Sequence, residues 1–199
     1  MQLVTLFSTA AQLTALKNKA LNKKLENFAY DLQKTTPTQT ISNQEGFQSK
    51  GVDLTTPLIK SLFDLCLPSI RKYVDAYDVD YTYSINVHNL WFNINPTHAY
   101  NTQHIHGGSD FSAVYYIKAP AKSGSLVLVN PDPSKEFVRF FTHPFKTWNK
   151  INHLSYRLDP NDRDFIIFPS HIPHYVSHNK SKENRISLSF NLSIEKTSS

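Results

Sequence analysis

Cysteine is almost absent from this sequence. Cys66 is the single one in 199 residues, so no disulfide can form within the chain. Disulfides are rare in reducing compartments, and the composition therefore fits a cytoplasmic protein.

Long apolar runs are also missing. No window approaches the roughly 20 apolar residues that a membrane-spanning helix needs. The segment Met1–Lys19 has no basic stretch before its short apolar run, so it does not resemble a signal peptide. We expect no membrane partner.

The sequence has no long basic run, although its net charge is +5. The lysines occur singly or in pairs, such as Lys23–Lys24, and form no basic stripe interleaved with aromatic residues. A basic stripe of that kind is typical of nucleic-acid binding. The charge pattern therefore does not favour nucleic acid as a partner.

The chain has enough hydrophobic residues to form a core. Hydrophobic residues make up 40% of it and aromatic residues 13%, which is typical of a packed globular protein. No internal repeat, low-complexity segment or clear linker divides it. We predict a single domain over residues 1–199.

Residues 1 to about 80 read as helical. Apolar residues recur at helical spacing over Ala10–Gln33, and the polar stretch Thr35–Lys50 indicates a loop. A second helix is predicted to begin near Thr56 and Pro57, because threonine before a first-turn proline is a start signal. Pro68 is expected to kink or break that helix.

Residues from about 81 to 193 read as strands. Six segments alternate or are rich in β-branched and aromatic residues: Tyr81–Val87, Leu90–Asn95, Phe111–Ile117, Ser125–Val129, Asp164–Phe168 and Arg185–Leu192. Helices followed by six or more strands indicate an α+β protein whose main body is a β-sandwich or barrel.

Three of the nine histidines have spacing that suits a metal ion. His104 and His106 are two residues apart, and residues i and i+2 of a strand point to one face. His174 follows an apolar strand far along the chain. A facial triad is typically built from two ligands close together in sequence and a distant third. Imidazole can bind zinc, copper or iron, so the pattern does not identify the metal.

A candidate anion site follows the last histidine. Arg185 and Ser187 alternate onto one face of a strand whose other residues are apolar. A guanidinium forms bidentate hydrogen bonds with a carboxylate, and an inward-facing arginine in a core strand needs an anion. A dicarboxylic cosubstrate would supply one.

The sequence resembles the 2-oxoglutarate/Fe(II) oxygenase family of bacteria and phages. The resemblance covers nearly the whole chain in order, and its matching stretches are Leu6–Thr9, Ser42–Ser49, Leu90–Asn95, His104–Gly108, Ser112–Ile117, Phe168–Ser170, His174 and Arg185–Asn191.

This resemblance implies a jelly-roll barrel, the double-stranded β-helix, with the N-terminal helices packed on it. It implies Fe(II) held by His104, His106 and His174, with no catalytic residue beyond that metal centre. Arg185, Ser187 and Tyr116 are implied to bind the far carboxylate of 2-oxoglutarate. Fe(II), 2-oxoglutarate and O₂ would then oxidise a substrate, with succinate and CO₂ as co-products.

One position departs from the family pattern. Most such enzymes have aspartate or glutamate where this chain has His106, so the site has one negative charge fewer. Asp110 is an alternative carboxylate ligand if the turn at Gly107 and Gly108 shifts the register. His106 is favoured because it keeps the i, i+2 geometry.

Two other functions stay open at the level of sequence. One is a cupin-like three-histidine dioxygenase that works without 2-oxoglutarate, against which Arg185 and Ser187 argue. The other is a catalytically silent jelly-roll protein, for instance one attached to a phage particle. The substrate, a small molecule or a macromolecular side chain, and the oligomeric state are not encoded in any motif. The aromatic-rich segment Phe140–Trp148 would either line the substrate entrance or pack as core.

Overall fold

The computed structural model describes residues 2, 4, 8–132, 134, 143–147, 149 and 152–197. The predicted loop Phe140–Trp148 and the opening segment Leu6–Thr9 thus lie partly outside the described residues. The elements, in chain order, are β1 (Gln12–Ala15), α1 (Lys19–Thr35), β2 (Asn43–Gln44), β3 (Phe47–Gln48), α2 (Pro57–Asp75), β4 (Tyr83–Asn95), β5 (Tyr100–His104), β6 (Phe111–Lys118), β7 (Leu126–Val129), β8 (Ser155–Leu158), β9 (Asp164–Pro169), β10 (His174–Val176) and β11 (Arg185–Lys196).

The strands form two antiparallel sheets. The larger has the order β1-β9-β6-β11-β4-β3, and the smaller has the order β2-β5-β10-β7-β8. A cavity between them is lined by residues of both sheets. The described part of the chain is therefore mostly sheet with two helices, in a jelly-roll-like arrangement.

Strand β11 shows why one face of the large sheet meets the helices and the other meets the cavity. Its apolar residues, such as Leu188 and Phe190, belong to the main core, together with Leu25 of α1 and Ile59 of α2. Its alternate residues line the cavity and are all polar: Arg185, Ser187, Ser189 and Asn191. Strand alternation thus separates a helix-covered core from a polar site.

The predicted helix over Ala10–Gln33 is wrong in its first part. Gln12–Ala15 is instead an edge strand paired with β9, and the helix begins only at Lys19. The Asn18 side chain accepts a hydrogen bond from the Leu21 backbone N–H at 2.9 Å, which is an N-cap that fixes this start. Leu13, one of the apolar residues that suggested a helix, is 51% exposed.

The second helix begins where the sequence predicts, with Thr56 as N-cap and Pro57 in the first turn. It continues through Pro68 to Asp75, so the expected break is wrong. Pro68 lies on the exposed side, whereas its neighbours Ser69 and Ile70 are buried. Burial of that opposite face maintains the helix across the proline.

No helix in the part of the chain that the structure describes is both long and apolar enough to cross a membrane.

The predicted loop Thr35–Lys50 contains a short hairpin that joins the two sheets. Strand β2 pairs with β5 of the small sheet, and β3 pairs with β4 of the large sheet. The turn between them has Glu45 at φ 59° followed by Gly46, where a Cβ would lie 2.8 Å from the Ile94 carbonyl oxygen. Glycine at this position therefore allows the hairpin to join the two sheets without displacing its neighbours.

The remaining strands agree largely with the sequence. The predicted strands Tyr81–Val87 and Leu90–Asn95 are one long strand, β4, with an irregularity in its pairing between Asn191 and Leu192. The other four predicted strands are present with ends shifted by at most a few residues. Strands β1, β2, β3, β5, β8 and β10 were not predicted.

Candidate active site

The structure brings His104, His106 and His174 together, although 70 positions separate the first from the last. The facing positions of β5 and β10 are His104 and His174, and His106 follows two residues later. Their ligand atoms all lie within 4.8 Å of one another. Three imidazoles at this separation can bind one metal ion between them.

Hydrogen bonds orient two of these rings. Nδ1 of His104 lies 2.7 Å from the Thr102 carbonyl oxygen, and Nδ1 of His174 lies 2.9 Å from the Ile172 carbonyl oxygen. A carbonyl only accepts, so each Nδ1 carries the proton and donates it. Each Nε2 keeps its lone pair for a metal, which is the usual arrangement of metal-binding histidines.

Burial keeps the rings neutral. Desolvation, with the nearby His104, lowers the pKa of His174 to about 3 and that of His106 to about 4. Desolvation also lowers the pKa of His104 below its ordinary value. At neutral pH all three rings therefore have free lone pairs, and as a donor set they fit a divalent iron ion.

His106 lies outside the strand on which it was predicted. Strand β5 ends at His104, and the His106 backbone N–H donates to the Ser170 carbonyl at 3.1 Å. The intervening Ile105 is 56% exposed, so the chain still alternates. The i, i+2 geometry therefore holds just past the end of the strand.

Asp110 is not part of the histidine cluster. Its carboxylate accepts a hydrogen bond from the Ile194 backbone N–H at 2.8 Å, and its own N–H donates to Leu192 at 3.0 Å. These contacts join the start of β6 to β11, which accounts for the aspartate structurally.

Arg185 lines the same cavity as the histidines and is only 1% exposed. Its Nη1 donates to the Ser123 carbonyl at 2.9 Å, and its Nη2 lies 3.5 Å from Oδ1 of Asn101. Desolvation lowers its pKa to about 10, so it is still a cation at neutral pH. It forms no ion pair with a carboxylate in the described part of the chain. A buried cation of this kind requires an anion, and the cavity is where one can enter.

Ser187 and Tyr116 complete this end of the cavity. They face each other across the β11–β6 pair, and both are buried. Neither hydroxyl has a hydrogen-bond partner among the described residues. Desolvation raises the pKa of Tyr116 to about 12, so its hydroxyl stays a neutral donor. With Arg185 they present three donor groups to an anion.

A buried amide network lies behind Arg185 and was missed by the sequence reasoning. Oδ1 of Asn101 accepts from Nδ2 of Asn95 at 3.3 Å, and Nδ2 of Asn43 donates to Asn93 and Asn95 at 3.2 Å each. The signal was present in β4, where asparagine recurs at alternate positions 89, 93 and 95. These residues link the β2–β3 hairpin to the guanidinium.

A sequence model of one family matches residues 89–191, just over half of the chain. The family is described as "Putative 2OG-Fe(II) oxygenase". The matched span contains all three histidines, Tyr116, Arg185 and Ser187. No curated protein matches the chain significantly.

Solved structures share the fold. A Pseudomonas putida prolyl-4-hydroxylase is 13% identical with a TM-score of 0.62, over 93% of this chain and 92% of that one. The 2-oxoglutarate-dependent epimerase SnoN of nogalamycin biosynthesis is 12% identical with a TM-score of 0.67, over 94% and 79%. HygX from Streptomyces hygroscopicus, solved with nickel and 2-oxoglutarate bound, is 10% identical with a TM-score of 0.62, over 94% and 83%.

Identities this low establish the fold alone, and it agrees with the family that the sequence match identifies. The histidine cluster fits iron, and the buried guanidinium, which has no carboxylate partner among the described residues, fits the carboxylate of 2-oxoglutarate. The chain belongs to the 2-oxoglutarate/Fe(II) oxygenase family, whose cofactors are Fe(II) and 2-oxoglutarate.

Proposed function

We propose that His104, His106 and His174 hold Fe(II), and that Arg185, Ser187 and Tyr116 bind the far carboxylate of 2-oxoglutarate. The observation that carries this proposal is the buried Arg185, a cation without a carboxylate partner among the described residues, in the same cavity as the three neutral imidazoles. A structural zinc site would not need that cation.

The proposed reaction is a dioxygenase reaction that hydroxylates the substrate. Bound Fe(II) supplies the oxidising chemistry, in which 2-oxoglutarate, O₂ and R–H give succinate, CO₂ and R–OH. The protein's own part is orientation. Arg185 and Ser187 hold one end of the diacid, so that its keto acid end faces the histidines on the opposite wall of the cavity.

The rest of the cavity wall indicates what kind of substrate can approach. Beyond Ser187, the polar part of the wall contains Ser189, Asn191 and Ser112, next to Trp91, and apolar side chains also line the cavity. Arg185 is the one formally charged side chain among the described residues that line this cavity, and 2-oxoglutarate would neutralise it. We therefore propose that the group to be oxidised is uncharged, and that hydroxyl and amide groups can hydrogen-bond to it.

The finer assignments belong to the same proposal. The two sheets would form a double-stranded β-helix with the N-terminal helices packed on it, in one domain over residues 1–199. The protein would act in the cytoplasm, without a membrane or nucleic-acid partner. Packing of Leu25 and Ile59 into the core of the large sheet supports the single domain.

Succinate formation tests the function. Purified protein given Fe(II), 2-oxoglutarate, ascorbate and air should release succinate slowly even without its substrate, because the cosubstrate site is complete. The reaction should stop with a chelator and in the His174→Ala variant. Tight binding of iron and 2-oxoglutarate without any succinate, with or without cell extract, would instead support a silent jelly-roll protein. Equal succinate from His174→Ala would identify stray iron chemistry as its source.

A second measurement distinguishes the proposed function from that of a three-histidine dioxygenase that needs no 2-oxoglutarate. O₂ consumption with cell extract should depend on added 2-oxoglutarate. Consumption that is unchanged without the diacid would exclude the proposed role of Arg185.

A further inference from the structure

Gly124 lies directly against the guanidinium of Arg185. It has φ +99°, and a Cβ at this position would lie 2.6 Å from Nη1 of Arg185 and 2.2 Å from the Ser177 carbonyl oxygen. Both distances are too short for any side chain. Arg185 can therefore occupy its observed position only because residue 124 is glycine.

Ser123, the residue before Gly124, accepts a hydrogen bond from the same guanidinium nitrogen. The Ser123 carbonyl accepts from Nη1 of Arg185 at 2.9 Å, and the Ser123 N–H donates to the Pro120 carbonyl at 3.0 Å to close the turn. Arg185 lines the cavity, whereas Gly124 does not. The turn thus contacts the guanidinium without lining the cavity itself.

This support removes the freedom that a long side chain normally has. Arginine has many rotamers, and an unsupported guanidinium could move to suit diacids of different lengths. Here the Ser123 carbonyl and the backbone of Gly124 hold Nη1, which restricts the distance between the guanidinium and the three histidines. A diacid that must reach both ends of the site is then selected by its length.

We propose that the Ser123–Gly124 turn is a positioning element that sets which length of 2-oxo dicarboxylic acid the site accepts. The inference rests on the proposed function, in which Arg185 and the histidines bind opposite ends of one diacid. It assigns to Gly124 a role in cosubstrate selectivity, through Arg185 and without contact to the diacid.

The first test is Gly124→Ala. The added methyl should push the guanidinium into the cavity and shorten its distance to the histidines. Affinity for the five-carbon 2-oxoglutarate should fall on the order of tenfold, the loss expected for one strained hydrogen bond to a charged group. Affinity for the four-carbon oxaloacetate should fall less or rise. Calorimetry on Mn(II)-loaded protein without O₂ measures both constants.

Gly51→Ala is the matched control, because a Cβ there has no neighbour within 4 Å. It should keep the wild-type ratio of the two affinities. Affinity for Mn(II) should be unchanged in both variants. A purely structural defect at Gly124 would weaken both diacids equally, and that result would overturn the proposal.

The contact with Ser177 can prevent Gly124→Ala from folding, in which case Arg185→Lys decides. The lysine ammonium ends one atom earlier than the arginine amino groups, so the cation lies farther from the histidines. The preference should then shift towards the six-carbon 2-oxoadipate. An unchanged order of preference in Arg185→Lys would overturn the inference. Failure of the wild-type protein to bind 2-oxoglutarate at all would contradict the proposed function itself, and this inference with it.

Discussion

At the scale of single residues, Arg185 is the side chain whose loss should weaken cosubstrate binding while leaving metal binding intact. Arg185→Ala removes the buried cation, and we expect 2-oxoglutarate binding to weaken about tenfold or more, since removing one partner of a buried charge pair costs several kcal/mol. Metal binding should change little, because the guanidinium makes no contact with the histidines in the described structure. Calorimetry with Mn(II)-loaded protein measures both.

The exposed Arg71 on α2 provides the control for this change. Arg71→Ala removes the same charge from the protein but not from the cavity, so 2-oxoglutarate affinity should stay at the wild-type value. Equal affinities in Arg185→Ala and Arg71→Ala would remove the main support for a diacid site.

Alanine variants should also distinguish the three candidate metal ligands from a nearby histidine that does not bind the metal. Alanine at His104, His106 or His174 should each weaken iron binding by more than about tenfold, because even loss of a ligand's hydrogen-bond partner costs that much. His171→Ala, an exposed histidine three residues before His174, should keep its iron. Metal analysis of the folded variants checks this.

Asp110 gives the test that distinguishes the two ligand sets. Asp110→Asn preserves an acceptor for the Ile194 N–H while removing the charge. We expect full iron content, because the three imidazoles already provide the ligands. Loss of iron in Asp110→Asn, together with retention in His106→Ala, would transfer the third position to the carboxylate.

At the scale of elements, the β2–β3 hairpin joins the two sheets through a turn in which any side chain at position 46 would be crowded. Gly46→Ala would place a Cβ 2.8 Å from the Ile94 carbonyl and 2.4 Å from Oδ1 of Asn43. We expect the free energy of unfolding to fall by about 1–3 kcal/mol, the usual cost of overpacking. Urea unfolding measures it, and Gly51→Ala is the control. Equal stability of the two variants would show that the hairpin adjusts without cost.

The elements also show which parts of the fold a sequence can predict. Strand β11 was predicted because its apolar and polar residues alternate without interruption, and each set faces one environment. Strands β1, β2 and β3 have two to four residues each and exist through pairing with distant strands. Such pairing leaves no local sequence pattern. The apolar spacing around β1 therefore predicted a helix, and the turn residues around β2 and β3 predicted a loop.

The same distinction holds within the site. His104, His106, His174 and Arg185 were predicted from spacing, because their chemistry is unusual in or beside apolar strands. Gly124 and the amide network around Asn101 act through contacts between segments far apart in sequence. No spacing rule reveals that a glycine leaves room for an arginine 61 positions later.

At the scale of the whole molecule, the proposed ligands connect the two sheets. His104 and His174 belong to the small sheet, whereas Arg185 and Tyr116 belong to the large one. A diacid that binds both the metal and Arg185 would therefore bridge the sandwich across its cavity. A ligand that binds only the folded state stabilises it, by about 2.7 kcal/mol at a hundredfold excess over its Kd.

If the diacid binds both the metal and Arg185, its effect on the Tm should depend on the metal. Mn(II) alone should raise the Tm, and 2-oxoglutarate should raise it further only when Mn(II) is present, because the keto acid end needs the metal. Arg185→Ala should reduce the second increase and keep the first, whereas His174→Ala should reduce both. Thermal unfolding without O₂, at saturating Mn(II) and 2-oxoglutarate, measures these increments. If 2-oxoglutarate raised the Tm of metal-free protein as much as that of the Mn(II) form, the two ligands would bind independently. The anion site at Arg185 and the histidine cluster would then not form one active site, despite lining one cavity.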